Sequence, residues 1–133
     1  MTSARGLPEA CPPEGLFAPD GTFFRLTQRN LQVGIAPPND AWSLPVDKRG
    51  PDYQHFDQCD AYALSVFGDV DVLLRARVSV PWVMKKSIAR LALTPEMGRI
   101  LETPSALGPT HHDWWPSSGD LVPVAVVVEG SVA

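Results

Sequence analysis

Residues 61–80 constrain the fold more than any other part of the chain. Val70, Val72, Leu74, Ala76, Val78 and Val80 alternate without a break with Asp71, Leu73, Arg75, Arg77 and Ser79. A period of two marks a strand with one buried face. The apolar run 61–67 precedes it, and Gly68-Asp69 between the two suits a two-residue hairpin turn, because glycine accepts positive φ without steric cost. The pattern predicts a hairpin of 61–67 with 70–80. Its register pairs Phe67 with Val70, Ser65 with Val72, Ala63 with Leu74 and Ala61 with Ala76 on a core face. On the other face Val66 meets Asp71, Leu64 meets Leu73, Tyr62 lies beside Arg75, and Asp60 pairs with Arg77. That ion pair, exposed, is worth about 0–1 kcal/mol. Val72, Leu74, Val78, Val124 and Val126 are the expected core.

Elsewhere, 14 Pro and 10 Gly among 133 residues mean that much of the chain is loop. Residues 22–26 and 31–35 predict short strands, the second from the alternation of Leu31, Val33 and Ile35. Residues 37–51 hold four prolines and Trp42 and predict a long loop, ordered because so large an aromatic packs somewhere. Residues 83–93 fit either a helix or a strand, and 87–93 is taken as a strand. Thr94-Pro95-Glu96 carries the marks of a short helix start: a capping hydroxyl, proline at the first position, a carboxylate against the dipole. Residues 103–120 predict a second long loop. Residues 121–129 predict a buried Val-rich strand, with Pro123 arguing for an edge position or a bulge near its start. The expected architecture is α+β and mainly antiparallel β: one small domain over 16–133 with a central hairpin and one short helix, behind a disordered tail over 1–15. An all-β sandwich or open barrel is the alternative.

The chain has 15 acidic and 11 Lys/Arg side chains, a net charge of −4 and a pI of about 5.2. An acidic chain repels nucleic-acid phosphate, so nucleic acid is not an expected partner. The longest apolar run, 121–128, is too short to cross a bilayer as a helix. The first fifteen residues contain no apolar core of a secretory signal. Cys11 and Cys59 are the two cysteines. They are expected as free thiols in a reducing cytoplasm, with a single disulfide as the alternative. Charge is segregated: seven Asp lie between Asp40 and Asp71, and six basic residues between Arg75 and Arg99.

No phosphate-binding glycine loop, nucleophile elbow, HExxH or EF-hand pattern is present. The one concentration of ligand-type residues is His111-His112-Asp113, the candidate catalytic set. In extended backbone His111 and Asp113 share a face, as do His55 and Asp57. Brought together, these four would suit a divalent metal such as zinc, although no cofactor is the leading expectation and local hydrogen bonding in loops is the ordinary role of such residues. Ser117 and Ser118 near His112, and Cys59 near His55, make weak nucleophile pairs. Trp42, Trp114 and Trp115, with Tyr62, Arg75 and Arg77, are the residue types that dominate interfaces and form the expected binding surface, on loops 37–52 and 104–120. The functional expectation is a small acidic cytoplasmic protein that recognises another protein, of the inhibitor, immunity or accessory type. The alternative is a small metal-assisted hydrolase at the His/Asp residues.

Overall fold

Asp69 decides the central segment. Its carboxylate accepts the backbone N–H of Asp71 at 2.9 Å, the bond of a helix N-cap, and the chain turns into helix α1, Val70–Ser79. Asp71 in the first turn and Arg77 in the last complement the helix dipole. The expected hairpin of 61–67 with 70–80, its register and its Tyr62–Arg75 pairing are therefore corrected. The side chain of Asp60 lies outside the described residues. The apolar positions fit both periods, but Val72, Leu73 and Ala76 are the buried ones, a helical spacing. Leu73, which the alternation put on the semi-polar face, is fully buried, while Val78 is 78% exposed. Leu74 is partly buried.

This is a computed structural model, and it describes residues 11–45, 59–105, 107–108, 110–117 and 123–132. After α1 the chain makes a short helix α2, Pro81–Met84, with proline at its first position. Six strands surround these helices in sequence: β1 Gly21–Thr27, β2 Leu64–Phe67, β3 Ser87–Leu93, β4 Gly98–Glu102, β5 His111–Pro116 and β6 Val124–Glu129. They form one antiparallel sheet in the order β4-β5-β2-β1-β3-β6, which does not close into a barrel. The α+β class, mainly antiparallel, holds, as do β1 and β3. No helix among the described residues is long and apolar enough to cross a membrane.

Other expectations are corrected. Residues 31–35 form no strand but an irregular segment with a turn at Val33-Gly34, although Gly34 N–H and Ile35 C=O bond to Val127 on both sides. The helix start at Thr94 yields a single 3₁₀ turn, Pro95–Met97, and β4 follows at once. The second long loop contains β5. Strand β6 does lie at the sheet edge, but among its residues only Val127 is fully buried; Val126 is half-buried and Val124 is 80% exposed.

The sheet has apolar packing on both faces. Leu64 and Val66 of β2 pack with Trp42, Leu91, Leu93, Ile100 and Trp114. Phe67 packs instead with Val72, Leu73 and Ile88 beneath α1. Cys11 and Cys59 form a disulfide with Cα atoms 5.4 Å apart, which corrects the expectation of free thiols. The reason is that residues 11–17 are not a loose end. Cys11 packs against the larger cluster and Phe17 bridges Ile100 of β4. Residues 1–10 of the expected tail lie outside the described residues.

Gly98 shows how tightly β4 joins β5. It sits at φ 131° and ψ −142°, and a Cβ there would collide with the Trp115 carbonyl oxygen. Gly98→Ala is expected to destabilise the fold by about 1–3 kcal/mol from backbone strain, with the collision adding to it. A urea midpoint unchanged by this substitution would contradict the geometry.

Candidate functional site

The site begins where a ladder fails. Strand β1 pairs with β3 over seven residues but with β2 only at Phe24–Phe67. Beyond that pair the two central strands part, and Arg25 spans the gap. Its Nη1 donates to the Ser65 carbonyl at 2.9 Å and its Nε to the Ala41 carbonyl at 3.0 Å. The second bond anchors the 3₁₀ turn Asn39–Trp42 over the sheet. No carboxylate among the described residues neutralises this guanidinium, and desolvation lowers its pKa from its ordinary value to about 10. It stays protonated at neutral pH, at an electrostatic cost that a bound anion would relieve.

A cleft of about 590 Å³ opens over Arg25, within the usual range for ligand pockets. Lys86 and Asp40 add charge to its wall, and Leu26, Phe67, Val80, Trp82 and Leu107 make it apolar. Trp82 is 51% exposed at this cleft. The Asp40 carboxylate is engaged by Gln28 Nε2 at 2.6 Å, and Gln28 Oε1 accepts from the Thr27 hydroxyl. The two segments expected to share a surface do meet here: Asp40 and Ala41 come from one, Ser105, Leu107 and His111 from the other.

His111 projects from β5 on the same face as Phe67, its register partner, and their rings meet edge-on with centroids 5.1 Å apart. Nδ1 lies 2.7 Å from the Thr103 carbonyl and 3.0 Å from its hydroxyl, and Nε2 lies 2.9 Å from Ser65 Oγ. Both ring nitrogens are thus engaged. His112 points to the opposite face, as adjacent strand residues must. It packs edge-on to Phe23 with Nδ1 2.7 Å from the Thr110 carbonyl. The candidate catalytic set therefore divides: His111 and Asp113 share a face of β5, and His112 does not join them. Asp113 is the register partner of Ser65. His55 and Asp57, half of the alternative metal set, lie outside the described residues, and among the described residues no group of three or more His, Cys, Asp or Glu is gathered. The Ser117 hydroxyl donates to the Glu96 carbonyl at 2.7 Å and takes no part with a histidine.

The aromatic binding surface is corrected. Trp42, Trp114, Trp115 and Tyr62 are all buried. Trp42 and Trp114 stack edge-to-face at 6.5 Å, and the indole N–H groups of Trp114 and Trp115 donate to the carbonyls of Met97 and Cys59. These side chains fill the core because aromatic rings bury much apolar area, and Trp114 and Trp115 each have a carbonyl for the one indole donor. Arg75 stands exposed on α1 and bonds its own helix at Asp71, while Arg77 reaches the Lys86 carbonyl at 3.4 Å. Residue-by-residue reading had missed Arg25 and Ser65. Arg25 does carry a signal: a lone cation within the apolar run of β1, where a solvated charge would break the buried face.

Comparison with family models, with curated proteins and with solved structures finds no match to this chain.

Proposed function

We propose that the protein acts by binding, and that the cleft between β1 and β2 receives a carboxylate with an apolar neighbour, presented by a partner protein as an exposed chain end. One observation carries this reading: a half-buried guanidinium at the cleft whose partners among the described residues are carbonyls alone. Two of the five N–H groups of Arg25 are used, which leaves three without a partner among the described residues. A guanidinium fork matches a carboxylate in two parallel bonds. Lys86 adds a second positive charge, and Phe67, Val80, Trp82 and Leu107 offer surface to an apolar side chain. Such recognition is what inhibitor, immunity and accessory proteins do. The net negative charge of the chain argues against a polyphosphate partner. A cytoplasmic location fits the size and charge but sets the Cys11–Cys59 bridge against a reducing pool, so the bridge favours an oxidising compartment.

The test is titration with an N-acetylated tripeptide ending in leucine, followed by Trp82 fluorescence. The free acid is expected to bind and the C-terminal amide is not. Arg25→Met should weaken binding of the acid about 10-fold or more, the equivalent of one charged hydrogen bond. Equal affinity for acid and amide, or for wild type and Arg25→Met, would overturn the reading.

A further inference from the structure

The hydrogen-bond chain Thr103–His111–Ser65 has a direction. A carbonyl oxygen only accepts, so His111 Nδ1, 2.7 Å from the Thr103 carbonyl, carries the proton. The neutral ring then has its lone pair on Nε2, and Ser65 Oγ, 2.9 Å away, donates to it. The ring is held by its surroundings. Thr103 N–H donates to the His111 carbonyl at 2.9 Å, closing the end of the β4–β5 pair, and Phe67 flanks the imidazole. A serine hydroxyl on a histidine base, with that base oriented by a third group, is the arrangement of an activated nucleophile. Here the third group is a backbone carbonyl instead of a carboxylate. Ser65 is exposed and lines the cleft, so the hydroxyl is open to a ligand. Its own carbonyl holds the Arg25 guanidinium, which places a positive charge beside the peptide unit of the nucleophile.

We infer that Ser65 and His111 form a nucleophile–base pair that transfers the acyl group of a carboxylic ester to water. Ser65 Oγ attacks the ester carbonyl carbon while its proton passes to His111 Nε2. The C–O bond to the alcohol breaks, and the departing alkoxide takes the proton from Nε2, which leaves an ester on Ser65. A water molecule then gives a proton to Nε2 and attacks that ester. The bond to Ser65 Oγ breaks, Oγ recovers the proton, and a carboxylic acid is released. No further reactant is needed. Phe67 and Leu107 set the substrate class as esters of apolar acyl groups. This activity does not rest on binding of a chain end by Arg25.

The experiment uses the full oxidised chain with a fluorophosphonate label and with p-nitrophenyl butyrate. One adduct is expected by intact mass, mapping to Ser65 and absent in Ser65→Ala. His111→Gln, with unchanged circular dichroism, should label at least about 100-fold more slowly, the usual contribution of a general base. No adduct on the wild type, an adduct elsewhere, or equal ester hydrolysis by wild type and Ser65→Ala would overturn the inference. If Ser65→Ala fails to fold, the mapped position of the wild-type adduct decides alone.

Discussion

Trp114→Ala is expected to cost about 3–5 kcal/mol of stability. Trp114 is fully buried, lies edge-on to Trp42, and uses its indole N–H on the Met97 carbonyl at 2.9 Å. Removal leaves a cavity where the packing of β5, β2 and β4 converges, and it takes one of two donors from that carbonyl, which keeps the Ser117 N–H at 3.1 Å. Both effects add to the lost transfer energy. For a domain of this size the Tm should fall by roughly 10 °C or more. Urea unfolding followed by the remaining tryptophans checks it. A variant that keeps the wild-type midpoint would mean that Trp114 is not the core residue described above, and would restore the surface role its residue type suggested.

Reduction of the Cys11–Cys59 disulfide should be nearly as costly. The bridge joins residues 48 apart in sequence. Closing a loop of that length in the unfolded chain corresponds to about 4 kcal/mol by the chain-entropy estimate, with measured values commonly about 2–4. Cys59 is also tied down by its carbonyl, which accepts the Trp115 indole N–H at 3.0 Å. Guanidinium unfolding with and without reductant should give well-separated midpoints. A Cys11→Ser, Cys59→Ser double variant should match the reduced protein and show no further response to reductant. Coincident curves for oxidised and reduced wild type would contradict a structural bridge.

How far the fold is legible in the sequence depends on how each element is buried. Strand β1 announces itself because its apolar residues form a short run bounded by turn residues, whereas β3 emerges only as one of two readings of 83–93, whose apolar residues fit a helix as well. Strand β5 does not. His111, His112, Trp114 and Trp115 follow one another with no period, since β5 lies inside the sheet and buries one tryptophan on each face. Helix α1 was misread for a different reason. Its valines serve a period of two as well as 3.6, and the deciding features are the capping Asp69 and the buried Leu73, which break the alternation. The site was half legible. His111 stands out by residue type, but its partner Ser65 reads as one small residue in an apolar run. Nothing in the sequence places β5 beside β2, 46 residues away from Ser65 to His111. The tryptophans misled because size favours cores and interfaces alike, and only packing distinguishes them.

The two outer strands are each stopped at their middle. Ile100 of β4 exchanges both its outward bonds with Phe17, at 3.2 and 2.9 Å, and Val127 of β6 spends both of its own on Gly34 and Ile35, at 2.8 Å each. A foreign strand laid along either margin would find only a stub of free backbone on each side of the block, too little to zip onto. The sheet is therefore a poor template for its own kind. Among the described residues, each margin offers an added strand only short, interrupted runs of backbone.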